Sequence, residues 1–328
     1  SRYLFIEPQF ILDKLNQLEK QDHDNKIRFS NLEDWQDCAK QMGIFSYISL
    51  DNARVMRSVA ALDAHWPRYR EFSNHIEREF HQFAWFAKST FSGYTFIEQQ
   101  LRNLAENQIP AVALADSFVG KTAVILAGGP SLDLFLPWVK KNRQQLLVVA
   151  VSRISRRLLD VDLIPDIIVA IDPNEKMFEI SKSMLLMEPK PLFAVGYHVI
   201  STLLGQYNDR HVYLGRRFPW NSKYCEENIN VQGPTVTNAA LTLLIEMGVG
   251  QVLLAGVDLC YSQQGYSHAQ GSQEHKRGPR IDFVGQKVLL NDGSFGQTEH
   301  AFFAAINVLA DQASCAKEKG CQVINLYD

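Results

Sequence analysis

The residues able to do chemistry gather in a few short stretches, and the richest is Lys121–Asp133, KTAVILAGGPSLD. Its apolar run Thr122–Leu126 suits a fully buried parallel strand. Gly128 and Gly129 then permit a tight turn and a close approach of backbone to a ligand. Pro130 follows, and Ser131 is placed to cap a helix whose apolar residues repeat as Leu132, Leu134, Phe135 and Val139. Such a strand, turn and helix N-terminus offers N–H groups to an anion, although an αβ crossover turn without ligand has the same pattern. Asp172, in PDIIVAIDPN, follows another apolar run and suits a ribose or metal contact, or equally a helix cap before Glu175. Asp258, in GVDL, follows a third such run and is a candidate for substrate hydroxyls or a metal.

Further groups complete the inventory. Ser152 and Arg153 follow the run Leu146–Val151, and an arginine there can pair bidentately with phosphate or carboxylate. Arg156 and Arg157 are expected to face solvent. Thr235 and Thr237, in GPTVTN, precede an apolar helix and could bind an anion or a carbonyl. The polar segment from Tyr261 to Gln286 holds His268, the natural general-base candidate with an unperturbed pKa near 6.5. Lys276, Arg277 and Arg280 in that segment could close over a phosphate. GRRFPWNSKY, residues 215–224, mixes cations and aromatics that suit a nucleotide or an ordinary surface loop. His300 is a secondary candidate, since Thr298–Glu299 capping explains its segment.

Several classes are excluded. There is no GxxxxGK[ST], and GxGxxG fails because Gly129 is followed by Pro, Ser and Leu. No HExxH, CxxC or paired-carboxylate spacing supports zinc or glycosidase chemistry. The net charge of −3 over 328 residues gives no electrostatic case for nucleic acid. No run approaches a membrane span and no signal peptide opens the chain. The five scattered cysteines read as reduced thiols of a cytoplasmic protein. The missing start methionine and the end after an apolar run suggest a piece of a longer protein.

The elements that must position these groups follow from periodicity. Strands are expected at Thr122–Leu126, Leu146–Val151, Ile167–Ile171, Leu192–Val195, Val212–Leu214, Val252–Ala255 and Val323–Leu326. Helices lie between most of them, near Leu132–Lys141, Ser152–Leu159, Glu175–Leu186, His198–Leu204, Val236–Met247 and Thr298–Lys319. This alternation predicts an α/β, Rossmann-like domain over 119–328, its mostly parallel sheet flanked by helices. In such sheets ligands sit beyond the carboxyl ends of the strands. A smaller, mainly helical region is expected over 1–118, with a helix from Pro8 to Gln21. Its aromatic stripe (Trp66, Tyr69, Phe72, Phe80, Phe83, Trp85, Phe86, Phe91, Tyr94, Phe96) reads as core rather than as a partner surface. Asn291–Ser294 reads as a hairpin turn.

Three of these stretches, in this order, resemble the DUF115 family: Gly129–Asp133 as GPSLD, Pro165–Pro173 as PDxxxxxDP, and Gly256-x-Asp258-Leu259-x-Tyr261 followed by His268-Ala269-x-Gly271. The likeness spans about 103–327. That family contains the motility accessory factors, which glycosylate flagellin, and is related to archaeal-type 6-hydroxymethylpterin diphosphokinases. The glycine turn also looks like the nucleotide turn of family 42 bacterial sialyltransferases. Ala127 stands where the family has the first glycine of GxGPSL, and GPTV where it more often has GGSV. The resemblance implies a bacterial glycosyltransferase moving a nonulosonic acid from a CMP-activated donor to a Ser/Thr hydroxyl of flagellin. In that picture Gly128, Gly129, Pro130, Ser131, Ser152, Arg153, Asp172, Thr235 and Thr237 hold donor or nucleotide. His268, Asp258 and Tyr261 are catalytic, with His268 as base and Tyr261 or a loop cation taking leaving-group charge. The resemblance names no certain cofactor, and Mg²⁺ is the one candidate. The alternatives are a pterin-type diphosphokinase using ATP and Mg²⁺ held by Asp172 and Asp258, and a catalytically silent nucleotide-binding module.

Overall fold

The structure is a computed structural model that describes all residues except 1, 18–25, 50–51, 63–65, 92–93, 219, 221, 232, 281–284, 291–292 and 328. The chain divides into two compact units, 1–93 and 94–328.

In the first unit a short strand β1 (Tyr3–Ile6) pairs in parallel with β2 (Ile27–Ser30). Around them lie α1 (Gln9–Gln17), α2 (Trp35–Gln41), α3 (Ile44–Ser49), α4 (Val59–Leu62) and the long α5 (Pro67–Phe91). The region is therefore mainly helical, as its periodicity predicts, but it holds a strand pair that the sequence did not announce. Four-residue strands are too short for alternation to stand out. Trp35, Ala39, Ile48 and Ile76 form the core, with Phe72 and Phe80 packed against it. The indole of Trp35 donates to Glu79 Oε2 at 2.7 Å, so its polar edge is satisfied inside. Trp66 departs from the expected core stripe, at 60% exposure. Residues 18–21 of the expected first helix, and the side chains of Phe83, Trp85, Phe86, Phe91 and Tyr94, lie outside the described residues.

The second unit begins with α6 (Tyr94–Arg102) and continues β3 (Thr122–Leu126), α7 (Leu132–Lys141), β4 (Leu147–Val151), α8 (Ser155–Asp160), β5 (Ile167–Ala170) and α9 (Lys176–Ser181). Next come β6 (Leu192–Gly196), α10 (Ser201–Leu204), β7 (His211–Leu214), α11 (Val236–Glu246), β8 (Gln251–Ala255) and α12 (Gln273–Lys276). It ends with β9 (Gln286–Leu289), β10 (Phe295–Thr298), α13 (His300–Glu318) and β11 (Gln322–Asn325). Residues 94–118 pack within this unit. Seven strands form one sheet in the order β11-β8-β3-β4-β5-β6-β7, with every pairing parallel. All seven expected strands are present, each within a residue or two of its predicted bounds. β9 and β10 make a separate antiparallel hairpin, and Asn291 and Asp292 of its expected turn lie outside the described residues.

The sheet is parallel because its strands are apolar on both faces and need helices on each. Every residue of β4 (LVVAV) and of β5 (IIVA) is buried. Truncating one such residue, Val149→Ala for instance, removes contacts that packed neighbours cannot replace, at a cost of about 1–3 kcal/mol. From β3 the chain steps outward through β4, β5, β6 and β7, then returns so that β8 lies on the other side of β3. The switch in direction falls between β3 and its neighbours, and in open α/β sheets such points carry the ligand crevice. Leu126 is in register with both Ala150 and Ala255. The segments after β3, β4 and β8 therefore meet at one end of the sheet.

Candidate functional site

Those three segments build the candidate site. The turn after β3 is held by β8: Gly129 donates its N–H to the Gly256 carbonyl at 2.7 Å, and Ser131 donates its N–H to Asp258 Oδ2 at 2.9 Å. A Cβ on Gly129 would lie 2.2 Å from Asp258 Oδ2 and 2.6 Å from the Gly256 carbonyl, so only glycine fits. Gly256 itself needs its freedom, with φ +70° and the Ala127 carbonyl 2.6 Å from the position of a Cβ. Ser131 occupies the N-cap position of α7, but its side chain makes no cap bond. The carboxylate that accepts an N–H at this helix terminus is instead that of Asp258, contributed from 127 residues away. Burial raises the Asp258 pKa, opposed by the bonds from Ser131. Its second oxygen, Oδ1, is buried without a partner among the described residues.

Two amides expected to face an anion are thus engaged within the chain. The Gly128 carbonyl accepts from Ala269 N at 2.9 Å, which straps the polar loop onto the turn.

Arg153 reaches over this turn from the end of β4. The position of a Cβ on Gly128 lies 3.2 Å from Arg153 Cδ, so the bare backbone lets the arginine pass. Its Nη1 donates to His268 Nε2 at 2.6 Å and lies 3.4 Å from Glu274 Oε1, while Nη2 points to Met177 Sδ at 3.8 Å. A guanidinium has no acceptor, so His268 Nε2 carries the lone pair and Nδ1 the hydrogen, given to Ser267 Oγ at 2.8 Å. The imidazole is neutral. Burial, reinforced by the positive charge of Arg153 and Arg277 and opposed by Glu274, pulls its pKa down to about 4. His268 therefore has the protonation state of a base at neutral pH, with its lone pair held by the arginine.

Asp172, after β5, is raised in pKa by burial, while its bond from Asn174 N (2.9 Å) and the charge of Arg153 oppose the rise. It forms a local turn with Asn174, and Asn174 Oδ1 in turn accepts from Lys176 N at 3.0 Å. The other predicted residues have different occupations. Ser152 is buried, its hydroxyl bonded to Ser181 Oγ at 2.9 Å. Thr235 caps α11 in a reciprocal box with Asn238, and Thr237 is buried beside it. Tyr261 is bonded through its phenol to Glu299 Oε2 (3.3 Å) and Arg280 Nη1 (3.2 Å), which fastens the loop to the hairpin and takes Arg280 out of a free loop. Arg156 is exposed as expected and pairs with Asp160; Arg157 is not, since it binds Asp133 Oδ1 at 2.7 Å. The side chain of His300 lies outside the described residues.

Two motif carboxylates prove to be struts. Asp133 of GPSLD anchors Arg157, and Asp166 of PDxxxxxDP takes a bidentate fork from Arg143 (3.0 and 2.7 Å) plus the Val148 N–H at 2.7 Å. The residue that sequence reasoning missed is Glu274, one acidic side chain in a polar loop with no spacing signal to distinguish it. A second histidine, His198, whose Nδ1 is buried, also went unread. It sits at the end of β6 between the rings of Phe96 and Tyr197 (4.4 Å each), and burial drops its pKa to about 3.

Among the described residues no group of three or more His, Cys, Asp or Glu could hold a metal ion. Asp172 and Asp258 each spend one oxygen on a backbone N–H. Alone they are not a cage for Mg²⁺, which is bound by one or two carboxylates only together with substrate phosphates. No described helix is long and apolar enough to cross a membrane.

A family model described as 6-hydroxymethylpterin diphosphokinase MptE-like matches residues 98–264, just over half of the chain. Among solved structures, the chain is similar to one titled as a MAf glycosyltransferase from Magnetospirillum magneticum AMB-1, with a TM-score of 0.59 and 17% identity. That likeness covers 100% of this chain and 53% of the solved one, so the chain spans about half of its length. At this identity it establishes the fold. A comparison with curated proteins gives no match.

Proposed function

The chain belongs to the MptE-like family, the DUF115 group whose motifs it carries, and from that premise we propose that it contains the sugar-transfer domain of a glycosyltransferase. The donor is a CMP-activated nonulosonic acid, and the acceptor is a Ser/Thr hydroxyl of a protein such as flagellin. The reaction takes place in the cytoplasm. The observation that carries this reading is the meeting of a half-buried neutral histidine with an arginine over the glycine turn at the switch point of the sheet.

Such a transfer needs three things: a cation for the departing phosphate, a base for the acceptor hydroxyl, and acceptors for sugar or ribose hydroxyls. Arg153 supplies the first, His268 Nε2 the second and Asp172 the third. Asp258 acts as a positioning residue, because its carboxylate fixes the turn through Ser131 N–H. His268 takes the hydroxyl proton as the acceptor oxygen bonds to the anomeric carbon, while the glycosidic bond electrons leave with the phosphate. The MAf glycosyltransferase fold supports the reading by likeness only.

The family description favours a second reading, pyrophosphate transfer from ATP to a hydroxymethylpterin. Mg²⁺ would then supply charge neutralisation, with Asp172 and the free oxygen of Asp258 as the candidate ligands. Thermal melts with CMP, with ATP plus Mg²⁺ and with no ligand separate the two, since a ligand that binds the folded state raises Tm. A rise with CMP alone supports sugar transfer, and a rise confined to ATP–Mg²⁺ refutes it. His268→Ala is expected to lower transfer by about 10²–10⁴-fold, the span of general-base catalysis. Unchanged transfer would remove the base assignment.

A further inference from the structure

Arg153 is a poorly satisfied arginine beside a well satisfied one. Arg143 gives both arms of its fork to the two oxygens of Asp166, at 3.0 and 2.7 Å. This is the bidentate geometry that a structural arginine adopts. Arg153 has one neutral imidazole at 2.6 Å, one carboxylate oxygen at 3.4 Å and a thioether at 3.8 Å. The carboxylate is equally unsettled, because Glu274 Oε2 is buried with no partner among the described residues. Neither side of the pair has what its chemistry asks for.

The carrier of Glu274 is equally telling. It sits in α12, a helix of only four residues (Gln273–Lys276). Gly271 and Gly278 stand on either side with φ of +85° and +86°, and nothing lies within 4 Å of where their Cβ atoms would be. Glycine at both positions gives the backbone on either side of the short helix freedom that other residues lack, while His275 ties the helix to the Tyr266 ring at 4.0 Å. The arginine it would leave has the Gly128 turn alongside, where the absence of a Cβ keeps the approach open.

We propose that Arg153 is the seat of the substrate's phosphate, and that the Glu274 carboxylate occupies the place of that phosphate. Phosphate then exchanges with Glu274, and the guanidinium turns its fork to the incoming oxygens and releases His268 Nε2. The inference rests on the transferase reading and adds to it a specific order: donor first, then a base made available. The charge balance is kept, since one anion replaces another beside the same cation. Water in place of donor leaves the lone pair of His268 bonded to Arg153, which keeps the base silent until donor is seated.

The test is a CMP titration of the purified chain and of Glu274→Gln, read by thermal shift and by the ring ¹⁵N resonances of His268. Removing the competing charge is expected to tighten CMP about tenfold, and CMP is expected to move the Nε2 resonance of the unmodified chain as its bond to Arg153 is lost. Cytidine, which lacks the phosphate, is expected to do neither. Equal or weaker CMP binding by Glu274→Gln, or an Nε2 resonance unmoved at saturating CMP, overturns the proposal. The resonance is read without any substitution, so a folding defect in the variant does not remove the test. Pyruvate at the same concentration checks the other oxyanion source. A response to pyruvate and none to CMP assigns the seat to a carboxylate and overturns the phosphate. Inorganic pyrophosphate separates the two levels of the argument. If CMP does not bind but pyrophosphate does, with the same gain in Glu274→Gln, the CMP-donor reading fails and the seat stands. If CMP binds both chains alike, the seat fails and the donor reading stands.

Discussion

The sheet unit carries two half-buried histidines in segments that follow strands, and they are built in opposite ways. His268 has both ring nitrogens engaged by polar groups, an arginine on Nε2 and a serine hydroxyl on Nδ1. His198 lies between two aromatic rings, and its Nδ1 is buried with no partner among the described residues. Around it Asn103 and Asn107 direct their amide N–H groups to the Tyr197 and Val199 carbonyls (2.6–3.5 Å). Both imidazoles are neutral, one at a pKa of about 4 and the other at about 3. The first is neutral in an array of charges that a ligand can rearrange. The second is neutral because apolar packing excludes charge, and no rearrangement is on offer. A depressed pKa by itself therefore does not mark a catalytic histidine; the groups on its nitrogens do.

The largest effect is expected where the reactive corner has no slack. Gly129→Ala drives a Cβ into Asp258 and the Gly256 carbonyl, and a loss of about 3 kcal/mol or more follows from forcing the β3 turn off β8. Calorimetry gives the answer, and a Tm within 2 °C of the parent, on the order of a few tenths of a kcal/mol, would show that the turn yields.

Next comes acid. Both histidines have folded pKa values below the unfolded value of about 6.5, so the unfolded chain binds more protons between that pH and the folded values. Stability is full above pH ~6.5 and falls as pH drops toward about 4 for His268 and about 3 for His198. His198→Phe keeps the aromatic packing and removes the larger share of that loss. Its unfolding midpoint is expected to fall less steeply than the parent's between pH 6 and 4, roughly the window set by these shifts. Curves of identical slope would contradict the burial account.

Arg153→Met sharpens the contrast from the other side. It removes a positive neighbour from His268 while leaving Glu274, so the imidazole pKa is expected to rise toward its ordinary value, and NMR titration reads it directly. His198 serves as the internal control and should not move. A smaller effect is expected for Asp258→Ala, which strips the carboxylate from the α7 N-terminus at about 1–2 kcal/mol by thermal melt.

Most of the frame was legible in the sequence. Continuous apolar runs such as LVVAV and IIVA have one physical use in a chain of this composition, and all seven strands lie where those runs are. Leu132–Lys141 is equally plain, with Leu132 and Val139 of its apolar repeat buried, although Leu134 is 67% exposed and the buried Leu136 lay outside that repeat. The pairings inside the site were not legible, because they join residues far apart in sequence. Ser131 read as its own helix cap, whereas the cap charge comes from Asp258. Thr235 read as a ligand group, yet Asn238, three residues on, already claims its hydroxyl. Asp133 and Asp166 stand in the motifs beside candidate site residues, and only their arginine partners show that they hold elements together.

The order of the sheet also bears on how the protein is made. β3 and its neighbour β4 are made close together in time, but the neighbour on its other edge, β8, begins only at Gln251. At about 5–20 residues per second, the intervening 125 or so residues take roughly 6–25 s to synthesise. Throughout that interval TAVIL, four of whose five residues end up buried, presents an open edge of unpaired amides and carbonyls. The strand that completes the candidate site is also the one that closes this edge.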